Sequence, residues 1–263
     1  IAFVVSQIKQ EKPLVDMSVF KDKNYTIGTL IQVIIMGVMM GSMMLLPQFL
    51  QTLMGYSAFD SGLAIMPRGC GAMTGVILYG ILANKVDERL SVAFGLSLIG
   101  IAGIFFGFLN LDIATINIAI PNYIYGFGMT LAMIPIIALS VVTLKNSQMT
   151  NATGIQNMLK NIGGAVGTSV ATTLVSRFSQ IHQAYMVDHL NPLNPIYMER
   201  LTSTAGALAQ YTQYNVAQYM AEYSLYGSMV KQASLWGFME AFRICGVLAI
   251  VIIPLLLLLK KIK

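Results

Sequence analysis

Residues 26–50 read TIGTLIQVIIMGVMMGSMMLLPQFL, with no charged side chain anywhere in the stretch. A helix rises about 1.5 Å per residue, so about 20 such residues cross the roughly 30 Å hydrocarbon layer of a bilayer. Within lipid each backbone amide must find its partner inside the segment, so a run of this kind crosses as a helix. Segments 58–83, 91–109, 115–144, 151–175 and 237–259 are likewise mostly apolar over a comparable length. None alternates polar and apolar residues as a ten-residue barrel strand would. Composition agrees: 56% of the residues are hydrophobic and 10% charged, with a mean hydropathy of +0.69, whereas a soluble domain carries about 25% charged residues. The predicted fold is all-α, a polytopic membrane helical bundle of about six full transmembrane helices.

The basic residues sort these spans. Lys9, Lys12, Lys21 and Lys23 precede the first, Lys85 and Arg89 lie between the second and third, and Lys145 lies between the fourth and fifth. Lys260, Lys261 and Lys263 follow the last. If the chain crosses at every span, all of them fall on one side, and the positive-inside rule makes that side cytoplasmic. The other side holds Arg177, Arg200 and Lys231, while Arg68, Lys160 and Arg243 lie within spans. The net charge of +5 is thus a consequence of topology, and nucleic-acid binding is not expected. Cys70 and Cys245 both sit in apolar runs and define no disulfide framework.

The organisation follows. Residues 1–8 read as the end of a preceding transmembrane helix, since the chain begins with Ile1 and its first apolar run is too short to span. Residues 9–25 form a cytoplasmic loop, 26–175 five transmembrane helices, 176–236 a long outer loop, 237–259 the last span and 260–263 a cytoplasmic tail. The outer loop contains Tyr185, Tyr197, Tyr211, Tyr214, Tyr219, Tyr223 and Tyr226. Because tyrosine favours the headgroup zone, a helix over 205–229 is expected on the outer membrane surface or capping the bundle, with a loosely ordered connector as the alternative.

Several residues stand out against this apolar background. Arg68 and Lys160 lie about ten residues into their spans, a depth at which charge is costly and normally faces a bundle interior or a wet cavity; snorkelling to an interface is the alternative. Gln156, Asn157 and Lys160 form one polar helical face. Met36, Met39, Met40, Met43 and Met44 form another, whose flexible thioethers suit varied apolar ligands as well as ordinary packing. Gly37 with Gly41, and Gly163 with Gly167, are small-xxx-small pairs that let helix backbones meet closely. Pro135 removes a helix hydrogen bond and leaves a carbonyl in need of another donor. Glu240 and Arg243, three apart, are placed for a local ion pair. His182 and His189 read as surface residues. No metal-ligand spacing and no phosphate-binding loop is present, and no cofactor is expected.

The ordered strings in these positions resemble a known family. Leu46-Pro47-Gln48-Phe49-Leu50-Gln51, followed by Gly55-Tyr56-Ser57-Ala58, Ser61-Gly62-Leu63 and Pro67, is similar to the fourteen-span drug:proton antiporters of the major facilitator superfamily, the EmrB/QacA type. Pro13-Leu14-Val15-Asp16 with Phe20-Lys21-Asp22-Lys23-Asn24-Tyr25 resembles the family's entry into its ninth span. Gly154, Gln156, Asn157, Lys160, Asn161, Gly163, Gly164 and Gly167 match a familiar fifth-span pattern. Residues 80–89 resemble a degenerate copy of the superfamily's cytoplasmic loop motif, with Asn84 where the motif usually has Asp and Asp87 where it has Gly. Gly80, Asn84, Lys85, Asp87 and Arg89 would then form a gating loop; otherwise Lys85 and Arg89 only set topology.

The resemblance implies the C-terminal half of an exporter whose N-terminal half is missing, with proton-coupled efflux of amphipathic or cationic small-molecule drugs across a cell (inner) membrane. It makes Gln32, Met36, Met40, Arg68, Tyr123, Gln156, Asn157 and Lys160 candidate cavity residues, and Gly37, Gly41, Gly163, Gly164, Gly167 and Pro135 packing positions. In a host with two membranes, a periplasmic adaptor protein could dock on the outer loop. An importer or symporter on the same fold remains open. An intramembrane enzyme would need a nucleophile–base or metal constellation at membrane depth, and the sequence offers none.

Overall fold

Asp22 starts the first long helix. Its carboxylate accepts the Tyr25 amide at 2.9 Å, and α1, Lys23–Thr52, runs on from this cap. The structure, a computed structural model, describes residues 17–82 and 85–260. Six further helices follow: α2 Ala58–Leu82, α3 Glu88–Phe106, α4 Thr115–Val141, α5 Asn146–Val187, α6 Pro195–Leu208 and α7 Tyr214–Val251. Short 3-10 turns, Met17–Lys21 and Ile253–Leu258, flank the set, and no strand occurs among the described residues.

The helix starts follow from local sequence. Gly55, at φ +71°, turns the chain after α1. The Asp60 amide then donates to Ser57 Oγ at 3.1 Å while Ser57 Oγ donates to the Asp60 carboxylate at 2.7 Å, so these side chains settle the first turn of α2. Asp87 caps α3 through the Arg89 amide at 3.1 Å. Asn194 caps α6 directly ahead of Pro195, whose missing N–H costs nothing there.

Lateral packing joins α2 to α4, α1 to α5, α3 to α4, and α7 to both α3 and α5. Close approach at the α1–α5 crossing depends on missing side chains. A methyl on Gly167 would overlap the backbone of Gly37, and one on Gly163 would lie 2.6 Å from the Val33 carbonyl. At the α2–α4 crossing, Gly71 and Gly126 stand in the same relation to the backbones of Tyr123 and Arg68. α4 continues through Pro121 and Pro135. The Leu131 carbonyl, one turn before Pro135, accepts a hydrogen bond from Ser91 Oγ of α3 at 3.2 Å, which is the substitute donor that a proline in lipid requires.

α1, α2, α3, α4 and the stretch Tyr214–Leu258 are long and apolar enough to cross a membrane. α5, expected as the fifth span, does not reach that apolarity among the described residues, although it lies along α1 and has no break. Its polar side chains lower its mean, and their placement matters below.

The segment expected as an outer loop, residues 176–236, departs from that reading. α5 and α7 run continuously into it. At 42 and 38 residues they are roughly 63 and 57 Å long, about twice the hydrocarbon thickness. The helix expected over 205–229 is broken at 209–213, so α6 and the start of α7 form a hairpin that closes on Leu201, Ala205 and Ala221. Beyond their shared contact at Gly237 and Ser179, α5 and α7 stay paired through Gln183, which donates to Tyr226 Oη at 2.9 Å. Tyr219 and Tyr223 stay exposed on a helix that runs on end to end from the last span.

Candidate functional site

The face of α5 explains its low apolarity. At 100° per residue, Thr153, Asn157, Lys160, Asn161, Gly164, Thr168 and Thr172 fall within an arc of about 120°. Met158, Ile162, Val166 and Val170 lie on nearly the opposite side, and all four are exposed. That apolar side borders a groove of about 330 Å³ lined by Val33, Gly37, Ile162, Val166, Cys245 and Leu248, a surface suited to lipid chains. Asn157 and Asn161 are exposed and Lys160 half-buried on the polar side. The stripe is exposed at Thr153, Asn157 and Asn161 and closes over at the buried Gly164; its open polar part is costly against lipid and suits water or a facing protein surface. Met36 and Met40 of α1 border the stripe at Gly164, where an added methyl would meet Met40 Cγ at 3.0 Å and Met36 Cγ at 3.6 Å.

Arg68 projects from α2 toward α1 and α4. Its Nε donates to Asn122 Oδ1 and its Nη2 to Ser42 Oγ, both at 3.2 Å, and its guanidinium carbon lies 4.3 Å from the centre of the Tyr125 ring. Asn122 is itself held by the Ile118 carbonyl, and Tyr125 Oη donates to the Val38 carbonyl. Ser42, Asn122 and Tyr125 were not singled out in the sequence, although Asn122 and Tyr125 share a helix face within an apolar run. Neither Arg68 nor Lys160 has an ion-pair partner among the described residues.

Gln32 and Gln156 are placed elsewhere. Both are buried, in a polar knot that ties α1, α4 and α5 together. Gln32 Nε2 and Gln156 Nε2 donate to Ser140 Oγ at 3.0 and 2.8 Å, Gln156 also reaches Thr29 Oγ1 at 3.2 Å, and Ser140 donates to the Ile137 carbonyl. They hold helices in register and do not line an open face. The Gln156–Asn157–Lys160 face is thereby split, with Gln156 turned inward. Tyr123 stays exposed on α4, its hydroxyl 2.8 Å from Thr74 Oγ1 of α2 and its ring stacked on Phe127.

Beyond the knot, the lysine-rich ends are cross-tied. Asp22 accepts Thr143 Oγ1 at 2.8 Å, Tyr25 Oη donates to the Ala152 carbonyl at 2.9 Å, and Asn24 bridges the Leu139 carbonyl and the Lys260 amide. Gly80 is exposed in the last turn of α2, Lys85 is exposed in the loop that follows, Asp87 serves as the α3 cap, and Asn84 lies outside the described residues. Arg89 Nε and Glu88 Oε2 are buried without a hydrogen-bond partner among the described residues.

Two expectations are corrected at the other end. Glu240 does not pair with Arg243; it meets His182 Nε2 of α5 at 2.7 Å, with Trp236 beside the imidazole. Arg243 instead donates to the Gly107 carbonyl that ends α3 and lies 5.0 Å from the centre of the Phe108 ring. Spacing on one helix made the local pair possible, but helix neighbours supplied better-placed partners. His182 is accordingly an interhelical contact and not a free surface residue.

The family model of the Major Facilitator Superfamily matches residues 3–168. The chain belongs to that superfamily. This major facilitator chain is 30% identical to the fatty acid resistance protein FarB of Neisseria gonorrhoeae over 98% of its own length and 50% of the relative. It is 29% identical to the multidrug export protein EmrB of Escherichia coli K12 over 73% of its length and 38% of that protein. It is 27% identical to the colistin resistance protein EmrB of Acinetobacter baumannii over 95% of its length and 48% of that protein. The chain spans about half the length of the curated relatives it matches. It is a multi-pass membrane protein.

Proposed function

We propose that this chain works as one half of a proton-coupled exporter of amphipathic drugs, together with an upstream half of similar size. The observation that carries the reading is the polar stripe of α5 bordered by Met36 and Met40, a membrane helix with one face built for water and the opposite face built for lipid. Secondary transporters place substrate between two such halves near mid-membrane and rock one against the other. In this reading Met36, Met40, Asn157 and Lys160 line the cavity, Tyr123 and Arg68 border it, and the Gln32–Gln156 knot keeps its wall rigid.

The names of the relatives support export of toxic compounds by the whole protein. The lysine-rich ends lie in the cytoplasm of a cell (inner) membrane, the loop from Gly80 to Arg89 contributes to closing that side, and the proton carrier belongs to the other half. In a host with two membranes, the outer part built from α6 and the start of α7 is where a periplasmic adaptor protein would dock.

The test is efflux of a fluorescent cationic dye from cells carrying the full gene. Dye accumulation should fall, and collapsing the proton gradient should restore it. Accumulation unchanged by the gene refutes export.

A further inference from the structure

We propose that Lys160 is paired across the cavity with a carboxylate presented by the upstream half, an ion pair that joins the two halves near mid-membrane. The inference rests on the transport reading and names the group that Lys160 meets there. Lys160 stands about 15 Å into the apolar part of its helix, roughly half the hydrocarbon thickness, whereas snorkelling serves lysines near helix ends. The two cations deepest in the spans have different surroundings. Arg68 has its donors taken by Ser42 and Asn122 and its guanidinium over the Tyr125 ring. Lys160 is half-buried on the open part of the α5 stripe, flanked by the exposed Asn157 and Asn161. None of these three side chains makes a hydrogen bond or an ion pair among the described residues.

The patch therefore has donors to spare and no anion. Among the described carboxylates, Asp22, Asp60, Asp87, Glu88 and Asp112 sit at helix starts or in loops. Glu240 is taken by His182, and the others belong to the outer part. Lipid phosphates stand beyond the hydrocarbon edge, about 15 Å from this depth. The side of α5 that suits lipid is also a different one, where Met158, Ile162, Val166 and Val170 are exposed. In the transport reading the surface opposite Lys160 belongs to the upstream half, so the balancing charge is an aspartate or glutamate of that half. A pair of this kind has a distinctive response to substitution. Removing one partner strands the other charge away from water, and removing both relieves it.

The test couples amine to carboxylate with a carbodiimide in the purified full-length protein in nanodiscs, read by mass spectrometry after proteolysis. Lys160 should be found joined to an aspartate or glutamate of an upstream span, and Lys160→Arg, whose guanidinium does not form the amide, should lose that product. Lys160→Met should lower the melting midpoint by several degrees, and changing the coupled acid to its amide in the same chain should restore most of the loss. The proposal is overturned by no product at Lys160, by coupling only to a carboxylate outside the upstream spans, by Lys160→Met melting with wild type, or by a double variant without that recovery. If Lys160→Met lacks a cooperative melt, the product and its loss in Lys160→Arg decide. Neither readout needs turnover. Dye efflux that fails while the product forms counts against export alone, and efflux without the product counts against this pair alone.

Discussion

Replacing Gly167 by alanine probes the α1–α5 crossing most sharply. The new methyl would fall on the Cα, carbonyl carbon and oxygen of Gly37, all closer than a Cβ ever approaches another atom. No rotamer relieves the overlap, because both partners are backbone, so the helices must part by about 1 Å. Overpacking of this kind costs about 1–3 kcal/mol, and a rigid backbone contact belongs near the upper end. The reverse substitution is gentler: a methyl on Gly37 would meet the Gly163 carbonyl at 3.1 Å and Gly167 Cα at 3.6 Å, which small shifts absorb. Gly154, on the same helix as Gly167, has nothing within 4 Å, and alanine there should gain up to about 1 kcal/mol of helix propensity. Thermal unfolding of the purified full-length protein in one detergent should therefore rank G154A at or above wild type, G37A slightly below it, and G167A lowest by several degrees. G167A melting with wild type, or G154A falling as far as G167A, would refute the close-packed crossing.

Other outcomes follow from the same geometry. Gln156→Leu strands the knot around Ser140 and should lower stability by about 1–3 kcal/mol, read by the same melt, whereas Asn157→Leu should leave stability near wild type and change only transport. Asp22→Ala removes both the α1 cap and the Thr143 contact and should cost about 1 kcal/mol, visible as faster proteolysis at the start of α1. A double-mutant cycle of His182→Gln and Glu240→Gln should give a coupling of at most about 1 kcal/mol, since both side chains are half-exposed; the same cycle on Glu240 and Arg243 should give none. Ser91→Ala leaves the Leu131 carbonyl without its substitute donor and should destabilise by about 1 kcal/mol, while Ser91→Thr should rescue it.

The helices α1 to α4 and the last apolar helix were legible because long apolar runs act over whole helices. Gly37, Gly163 and Gly167 were legible as a packing seam because a four-residue spacing sets both residues of each pair on one face. What the sequence could not supply was partners between helices. Arg68 was recognisable as a buried cation, but Ser42 and Asn122 lie 26 and 54 residues away and meet it only after α1, α2 and α4 assemble. Gln156 reads as a neighbour of Asn157 on one polar face, yet 100° of rotation puts it against Ser140 while Asn157 stays outside. The Glu240–Arg243 pairing failed for the same reason: spacing shows which side chains can meet, and packing decides which do. In residues 176–236 a helix was legible over 205–229, but its break at 209–213 and the continuity of α5 and α7 with the adjoining spans were not, because low apolarity marks neither where a helix starts nor how far it runs.

The most direct measurement is a cysteine scan along α5 of the full-length protein, with Cys70 and Cys245 replaced and a membrane-impermeant thiol reagent applied from both sides. Cysteines at 153, 157 and 161 should react, and an amphipathic substrate should protect them; those at 158, 162, 166 and 170 should stay unlabelled. Labelling of the second set with silence in the first would place lipid where this account places the cavity.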